Sequence, residues 1–182
     1  MPVSRIWITG SSGAGKTTMA SEIDRRLQLP RLELDGLFHG PDWTPADPGV
    51  FRSAVLEVVA GPRWVVDGNY NGALGRTVAD RAELRIAIDL SVPVTMSRVI
   101  RRTVRRAVTR EELWNGNRGS LRNFTRWDPL ENIIRWTWDN RHSYHEKALG
   151  AEKAWRAGGL PCVRLASPAQ VRRFVDYLTP NT

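Results

Sequence analysis

The sequence predicts an α/β protein built on a parallel sheet. Two observations carry that expectation. Five short apolar runs, Ile6 to Thr9, Leu32 to Leu34, Trp64 to Val66, Leu84 to Leu90 and Cys162 to Leu165, alternate with segments of helical periodicity. The first run also leads through a glycine-rich turn, Gly10-Ser11-Ser12-Gly13-Ala14-Gly15, into a helix pattern that opens at Lys16-Thr17-Thr18.

Each element follows from its local pattern. Met19, Ala20, Ile23 and Leu27 recur at helical spacing, which predicts a helix over 17–29. The second strand ends at Asp35-Gly36 and leads into a Gly/Pro-rich loop carrying Phe38, His39 and Trp43. Asp47-Pro48 reads as an N-cap followed by proline at the first helical position, with Phe51, Ala54, Val55, Val58 and Val59 as the apolar stripe and Gly61-Pro62 as the stop. The third strand ends at Asp67-Gly68, a short helix is expected over 71–81, and the fourth strand includes Asp89. A helix is predicted over 94–110, irregular chain over 111–127, a long helix from Pro129 to about Leu149 and further helix over 151–157 up to Gly158-Gly159. Ser167-Pro168 opens a closing helix with Val171, Phe174, Val175 and Leu178 on one face.

Composition bounds the class. With 182 residues, 41% hydrophobic and 25% charged, the chain is expected to form one domain with a substantial core. It has neither a signal-peptide-like N-terminus nor a run of membrane-spanning length, so a cytoplasmic location with no membrane partner is expected. Cys162, the single cysteine, lies in an apolar run and reads as a buried thiol. The net charge of +8 is concentrated: residues 98–126 hold nine arginines against Glu111 and Glu112. That is an anion-facing segment in an otherwise balanced chain.

The turn from Gly10 to Thr17 fits G-x-x-x-x-G-K-[ST]. Glycines let such a loop curl so that its N–H groups converge on an anion, and the following helix adds its positive N-terminus. Lys16 would reach the β- and γ-phosphates of a nucleotide and Thr17 would ligate Mg²⁺. Asp35 and Asp67, at the ends of apolar strands, lie where a parallel sheet gathers its ligand crevice and are candidates to hold Mg²⁺ or an acceptor hydroxyl. Asp89 reads as structural. His39, in the loop after Asp35, reads either as an acceptor contact or as an exposed loop residue.

On the helix over 94–110, Arg98, Arg101, Arg102, Arg105 and Arg106 share one arc, opposite Met96, Val99, Ile100, Thr103, Ala107 and Val108. None has a carboxylate three or four positions away to relieve the repulsion, so the face suits an anion. His142 and His145 have i, i+3 spacing without further candidate metal ligands. Trp114, Trp127, Trp136 and Trp138 fit core or lid packing, and alternatively, with the arginines, single-stranded nucleic acid.

With these motifs in order, the chain resembles a phosphate-loop kinase related to adenylate kinase, and more narrowly the topology-modulation-protein family of adenylate-kinase-like ATPases. The carriers are Gly10 to Thr17, Leu34-Asp35-Gly36, Trp64-Val-Val-Asp67-Gly-Asn69-Tyr70, Ile88-Asp89-Leu90 and the arginine run from Arg98 to Arg106. The resemblance implies a P-loop NTPase fold with five parallel strands in the order 2-3-1-4-5, a core over 1–97 and 160–182 and a basic helical lid over about 98–158. It also implies a catalytic set of Lys16, Asp35, Asp67, Arg98 and Arg102. ATP would be cradled by Gly10, Ser11, Ser12, Gly13, Ala14, Gly15, Lys16, Thr17 and Thr18, clamped by Arg98 and Arg102, and bordered at adenine by Ser167 and Pro168. Mg²⁺ would lie at Thr17 and Asp67, and an unidentified small acceptor, anionic or neutral, at Asp35, His39, Asn69, Tyr70, Arg105 and Arg106. Asp67-Gly-Asn-Tyr70 replaces the Asp-Gly-Phe-Pro-Arg of adenylate kinases, so the arginine that holds a nucleoside monophosphate has no direct counterpart. The activity expected is Mg²⁺-dependent phosphoryl transfer from ATP to a small molecule; the alternative is a nucleotide-gated, nucleic-acid-binding ATPase.

Overall fold

The computed structural model describes residues 3–118 and 132–178. The expectations that rest on Arg122, Arg126, Trp127 and Pro129 lie outside the described residues.

Five strands, β1 (Arg5–Gly10), β2 (Arg31–Glu33), β3 (Trp64–Asp67), β4 (Leu84–Ile88) and β5 (Cys162–Leu165), form one parallel sheet in the order β2-β3-β1-β4-β5. Ile6 is in register with Val65 on one side and Leu84 on the other, so β1 is central. Strands buried on both faces explain the near-continuous apolar runs.

Alternation sends successive side chains to opposite faces. On one face Ile6, Ile8, Val65, Ile86 and Ile88 pack with Met19, Ala20 and Ile23 of α1 (Lys16–Leu27) and Val175 of α8 (Pro168–Leu178). On the other, Trp7, Trp64 and Val66 pack with Phe51, Val55 and Val59 of α3 (Pro48–Val59), and with Leu34 of α2 (Leu34–Phe38). A smaller cluster on β4 and β5 joins Ala87 and the buried Cys162 to Ala148 of α7 (Arg141–Arg156). α4 (Asn71–Leu74), α5 (Val92–Thr109) and α6 (Ile133–Asp139) complete the α-helices among the described residues.

The Asp47 cap forms as expected, its carboxylate accepting from Gly49 N and Val50 N at 2.8 and 3.0 Å. Four expectations are corrected. Asp35 does not end a strand: β2 stops at Glu33, and Asp35 lies in the first turn of α2. The helix expected over 71–81 is cut after one turn, where Gly75 takes φ +55°. The long C-terminal helix breaks at Asn140 instead of Gly150, because Asn140 turns back to donate to Trp136 O at 3.0 Å. β4 stops at Ile88, so Asp89 follows it.

Phe51 is 1% exposed and meets Phe38 and Tyr70 edge-on, at 5.4 and 5.3 Å between ring centroids. Phe51→Ala is expected to cost about 3–5 kcal/mol of unfolding free energy, read from the urea midpoint, because the cavity it leaves cannot close against a rigid sheet. A loss below about 1 kcal/mol would show that α3 is not anchored there.

Candidate active site

The carboxyl ends of β1, β2 and β3 meet in one crevice. β1 ends at Gly10, and the chain curls through Gly13 and Gly15, at φ +76° and +99°, into α1. A Cβ on Gly13 would lie 2.5 Å from Thr95 O and 2.8 Å from Val99 Cγ2, so the loop can press against α5 only with glycine there. Arg98, farther along the same helix, places Nη1 3.4 Å from Ala14 O and 3.5 Å from Gly13 O. Lys16 Nζ arches back to donate to Ser11 O at 3.1 Å. Ser12 is half-buried and Thr18 exposed at the start of α1.

Three carboxylates face this lysine. Thr17 Oγ1 lies 3.2 Å from Glu33 Oε1 and 3.4 Å from Asp67 Oδ1. Glu33 and Asp67 are register partners at the ends of β2 and β3. Asp67 is 1% exposed, and its Oδ2 is buried with no hydrogen-bond partner. Burial, reinforced by Glu33 and Asp35 and opposed by Lys16, pushes the Asp67 carboxyl up to about 7. Burial pushes the Lys16 ammonium down, against the pull of Asp35 and Asp67.

An orphaned carboxylate oxygen beside a threonine hydroxyl fits a Mg²⁺ ion. Among the described residues no group of three or more His, Cys, Asp or Glu could hold a metal. Mg²⁺ needs no such cage, since it keeps several waters and takes further oxygens from phosphates. Glu33 was missed by sequence reasoning; the signal was its place two residues before Asp35 on an alternating strand, Leu32-Glu33-Leu34-Asp35.

The acceptor side is built around Asp35. Tyr70 Oη donates to Asp35 Oδ1 at 2.7 Å and lies 3.5 Å from His39 Nε2. Burial, then the charge of Asp35 and that hydrogen bond, holds the Tyr70 phenol well above its ordinary value. Burial pushes His39 down despite Asp35, and His39 Nδ1 is buried without a partner. Burial therefore favours the neutral imidazole over its cation. His39 also stacks on Trp114 at 6.2 Å and meets Trp43 edge-on at 5.5 Å. The chain beyond α5 is fastened here: Asn115 Nδ2 donates to His39 O at 2.6 Å, Asn117 Nδ2 donates to Gly40 O at 2.8 Å, and Trp43 N donates to Asn117 Oδ1 at 3.0 Å. Trp114 packs so closely on Gly36 that a Cβ there would lie 2.8 Å from its Cδ1.

The remaining expected residues are placed as follows. The Asn69 amide clasps Gly10, accepting from Gly10 N at 3.0 Å and donating to Gly10 O at 2.7 Å. Ser167 caps α8, accepting from Gln170 N at 3.2 Å, and Pro168 opens that helix beyond the edge strand β5. His145 Nδ1 lies 2.9 Å from Asp89 Oδ2, which also accepts from Arg164 Nη1 at 2.9 Å, so Asp89 is structural.

The arginine face is divided. Arg98, Arg101 and Arg105 are exposed, whereas Arg102 and Arg106 are half-buried and pushed down by burial, with Asp35 and Glu33 pulling the other way. The expectation of an unrelieved cationic face is corrected: Glu111, folded back past the helix end, lies 2.9 Å from Arg105 and 3.8 Å from Arg106. The opposite face is also less buried than its pattern suggests, since Ile100 and Val108 are 43% and 72% exposed.

No protein-family model and no curated protein sequence matches the chain. Solved structures do match over nearly its whole length. A shikimate kinase from Acinetobacter baumannii in complex with shikimate superposes with a TM-score of 0.53 at 15% identity, covering 97% of this chain and 93% of that one. A shikimate kinase from Bacteroides thetaiotaomicron gives a TM-score of 0.51 at 18% identity, covering 97% and 96%. The strand order, the loop between β1 and α1 and these superpositions together show a P-loop NTPase fold of the shikimate-kinase type.

Proposed function

We propose that the chain is an ATP- and Mg²⁺-dependent phosphotransferase acting on the hydroxyl of a small acceptor. The observation that carries this reading is the convergence of Lys16, Thr17 and the orphaned Asp67 Oδ2 at the mouth of the glycine loop. Thr17 and Asp67 would hold Mg²⁺, with Glu33 beside them. The ion, when bound, would screen charge on the β- and γ-phosphates. Lys16, Arg98 and Arg102 place fixed positive charge where negative charge grows as the phosphoryl group moves. Asp35, steadied by Tyr70, would orient the acceptor hydroxyl and take its proton as oxygen bonds to the γ-phosphorus and the bond to the bridging oxygen breaks.

The helical segment over about 98–158 would serve as the lid on a core over 1–97 and 160–182. Its contacts with the loop bearing His39 suit a closed form that keeps water from the phosphoryl group. The narrower likeness to topology-modulation proteins rests on the Trp64 to Tyr70 and Arg98 to Arg106 motifs. Arg102 is half-buried and Arg105 and Arg106 pair with Glu111, which weakens the cationic face on which the nucleic-acid reading rests.

The test is ADP release with Mg²⁺ across shikimate, sugars, small hydroxy acids and nucleoside monophosphates. One acceptor is expected to raise the rate well above basal hydrolysis. Asp35→Asn is expected to remove that stimulation by a factor of about 10²–10⁴ while leaving nucleotide binding intact. Equal stimulation in Asp35→Asn would overturn the role of Asp35.

A further inference from the structure

On the opposite side of the glycine loop from Asp35, a second set of cations lacks acidic partners. Arg85 is the second residue of β4, flanked by the buried Leu84 and Ile86 and in register with Trp7 on one side and Cys162 on the other. Its guanidinium lies 4.7 Å from the centre of the Trp7 ring, and Nε donates to Thr9 Oγ1 at 3.1 Å. No carboxylate among the described residues pairs with it. Arg164, on the neighbouring strand, shows the contrast: it reaches Asp89 at 2.9 Å and Glu152 at 3.0 Å. A guanidinium does not shed its proton at any ordinary pH, so the half-buried Arg85 keeps a charge that Trp7 and Thr9 do not neutralise and an anion would.

Arg85 lines a cavity with Thr9, Asn69, Asn71, Tyr144 and Lys147. Lys147 Nζ lies 5.5 Å from the Tyr144 ring and likewise has no acidic partner among the described residues. The cavity is about 310 Å³ including its open mouth. Arg85 and Lys147 supply two cations, Asn71 and Tyr144 add a carboxamide and a hydroxyl, and no carboxylate lines the cavity. That is the chemistry of an oxyanion site, with the exposed Lys147 as one of its cations.

We propose that Arg85 and Lys147, with Asn71 and Tyr144, bind a small carboxylate- or phosphate-bearing molecule behind the glycine loop. Asn69, which lines the same cavity and clasps Gly10, ties that site to the loop. The site stands on its own residues and does not depend on phosphoryl transfer.

The test is thermal unfolding of the full chain titrated with malonate and with inorganic phosphate, in wild type, Arg85→Met, Lys147→Met and Lys16→Ala. Wild type is expected to gain about 3–6 °C at roughly ten times the dissociation constant. Arg85→Met and Lys147→Met are expected to lose that gain, and Lys16→Ala to keep it with malonate. In anion-free buffer Arg85→Met is expected to melt no lower than wild type, since it removes an uncompensated charge. A gain retained in Arg85→Met would overturn the site, and so would a gain lost only in Lys16→Ala, which would place the anion in the glycine loop. If malonate raises the KM of the identified acceptor in wild type but not in Arg85→Met, the anionic group is the acceptor's own. If it alters kcat alone, the ligand is a separate effector. Either result supports the site.

Discussion

Replacing Lys16 by alanine is expected to lower acceptor-stimulated ADP release by about 10²–10³, the usual cost of losing one preorganised charge at a developing anion. The effect should fall on kcat more than on the acceptor KM, because Lys16 faces the phosphate loop and the acceptor cluster lies at Asp35. A second consequence follows from the neighbours. With Lys16 gone, Glu33, Asp35 and Asp67 lose the cation that opposes their mutual repulsion, so the Asp67 carboxyl rises further above its present value of about 7. The pH profile of the residual activity should shift upward accordingly. A Lys16→Ala protein with the acceptor-stimulated rate of wild type would remove the glycine loop from the chemistry.

Asp67→Asn is expected to stabilise the ligand-free protein while abolishing its response to Mg²⁺ and nucleotide. The Asp67 carboxyl is raised from 3.8 to about 7 in the folded chain, so between those values the folded state holds a proton that the unfolded state has released. Stability contributed at this position is therefore greatest below about pH 4 and declines as pH rises to about 7, by on the order of a few kcal/mol. Asparagine has no charge to desolvate. Its melting temperature should exceed that of wild type by about 4–8 °C at pH 8, and the gap should close towards pH 4. Adding Mg²⁺ and a non-hydrolysable ATP analogue should reverse the order at pH 8, since wild type alone offers the carboxylate. Equal melting temperatures at pH 8 without ligand would mean that Asp67 is not held against its ionisation.

How much of this was legible in the sequence depended on whether local pattern or tertiary contact decided the outcome. The glycine loop, α1, the Asp47-Pro48 cap and the strand order were legible. Each is carried by residues whose backbone requirements or burial periodicity are local, or, for the order, by a resemblance that spans the chain. Asp67 was legible because an acidic residue ending a wholly apolar strand must face the crevice. Asp35 was found for the same reason but misplaced, since a three-residue β2 ends before it and helix follows. Asn69 and Tyr70 were named as acceptor residues through the resemblance, but that Asn69 clasps Gly10, that Tyr70 holds Asp35 and that Asn115 and Asn117 fasten the His39 loop follows only when loops far apart in sequence meet, and no periodicity records such meetings. Arg85 could have been noticed as a charge inside an apolar strand, but the same pattern in β5 places Arg164 against two carboxylates, so sequence could not separate a paired arginine from an unpaired one.

Phosphoryl transfer is tested most directly by following the labelled γ-phosphoryl group of ATP and asking where it ends. With Mg²⁺ and the acceptor identified by ADP release, the label is expected on an acceptor hydroxyl, in proportion to the ADP formed, and absent from that product with Lys16→Ala or Asp35→Asn. Label recovered only as inorganic phosphate, at one rate with and without every acceptor tried, would contradict a phosphotransferase.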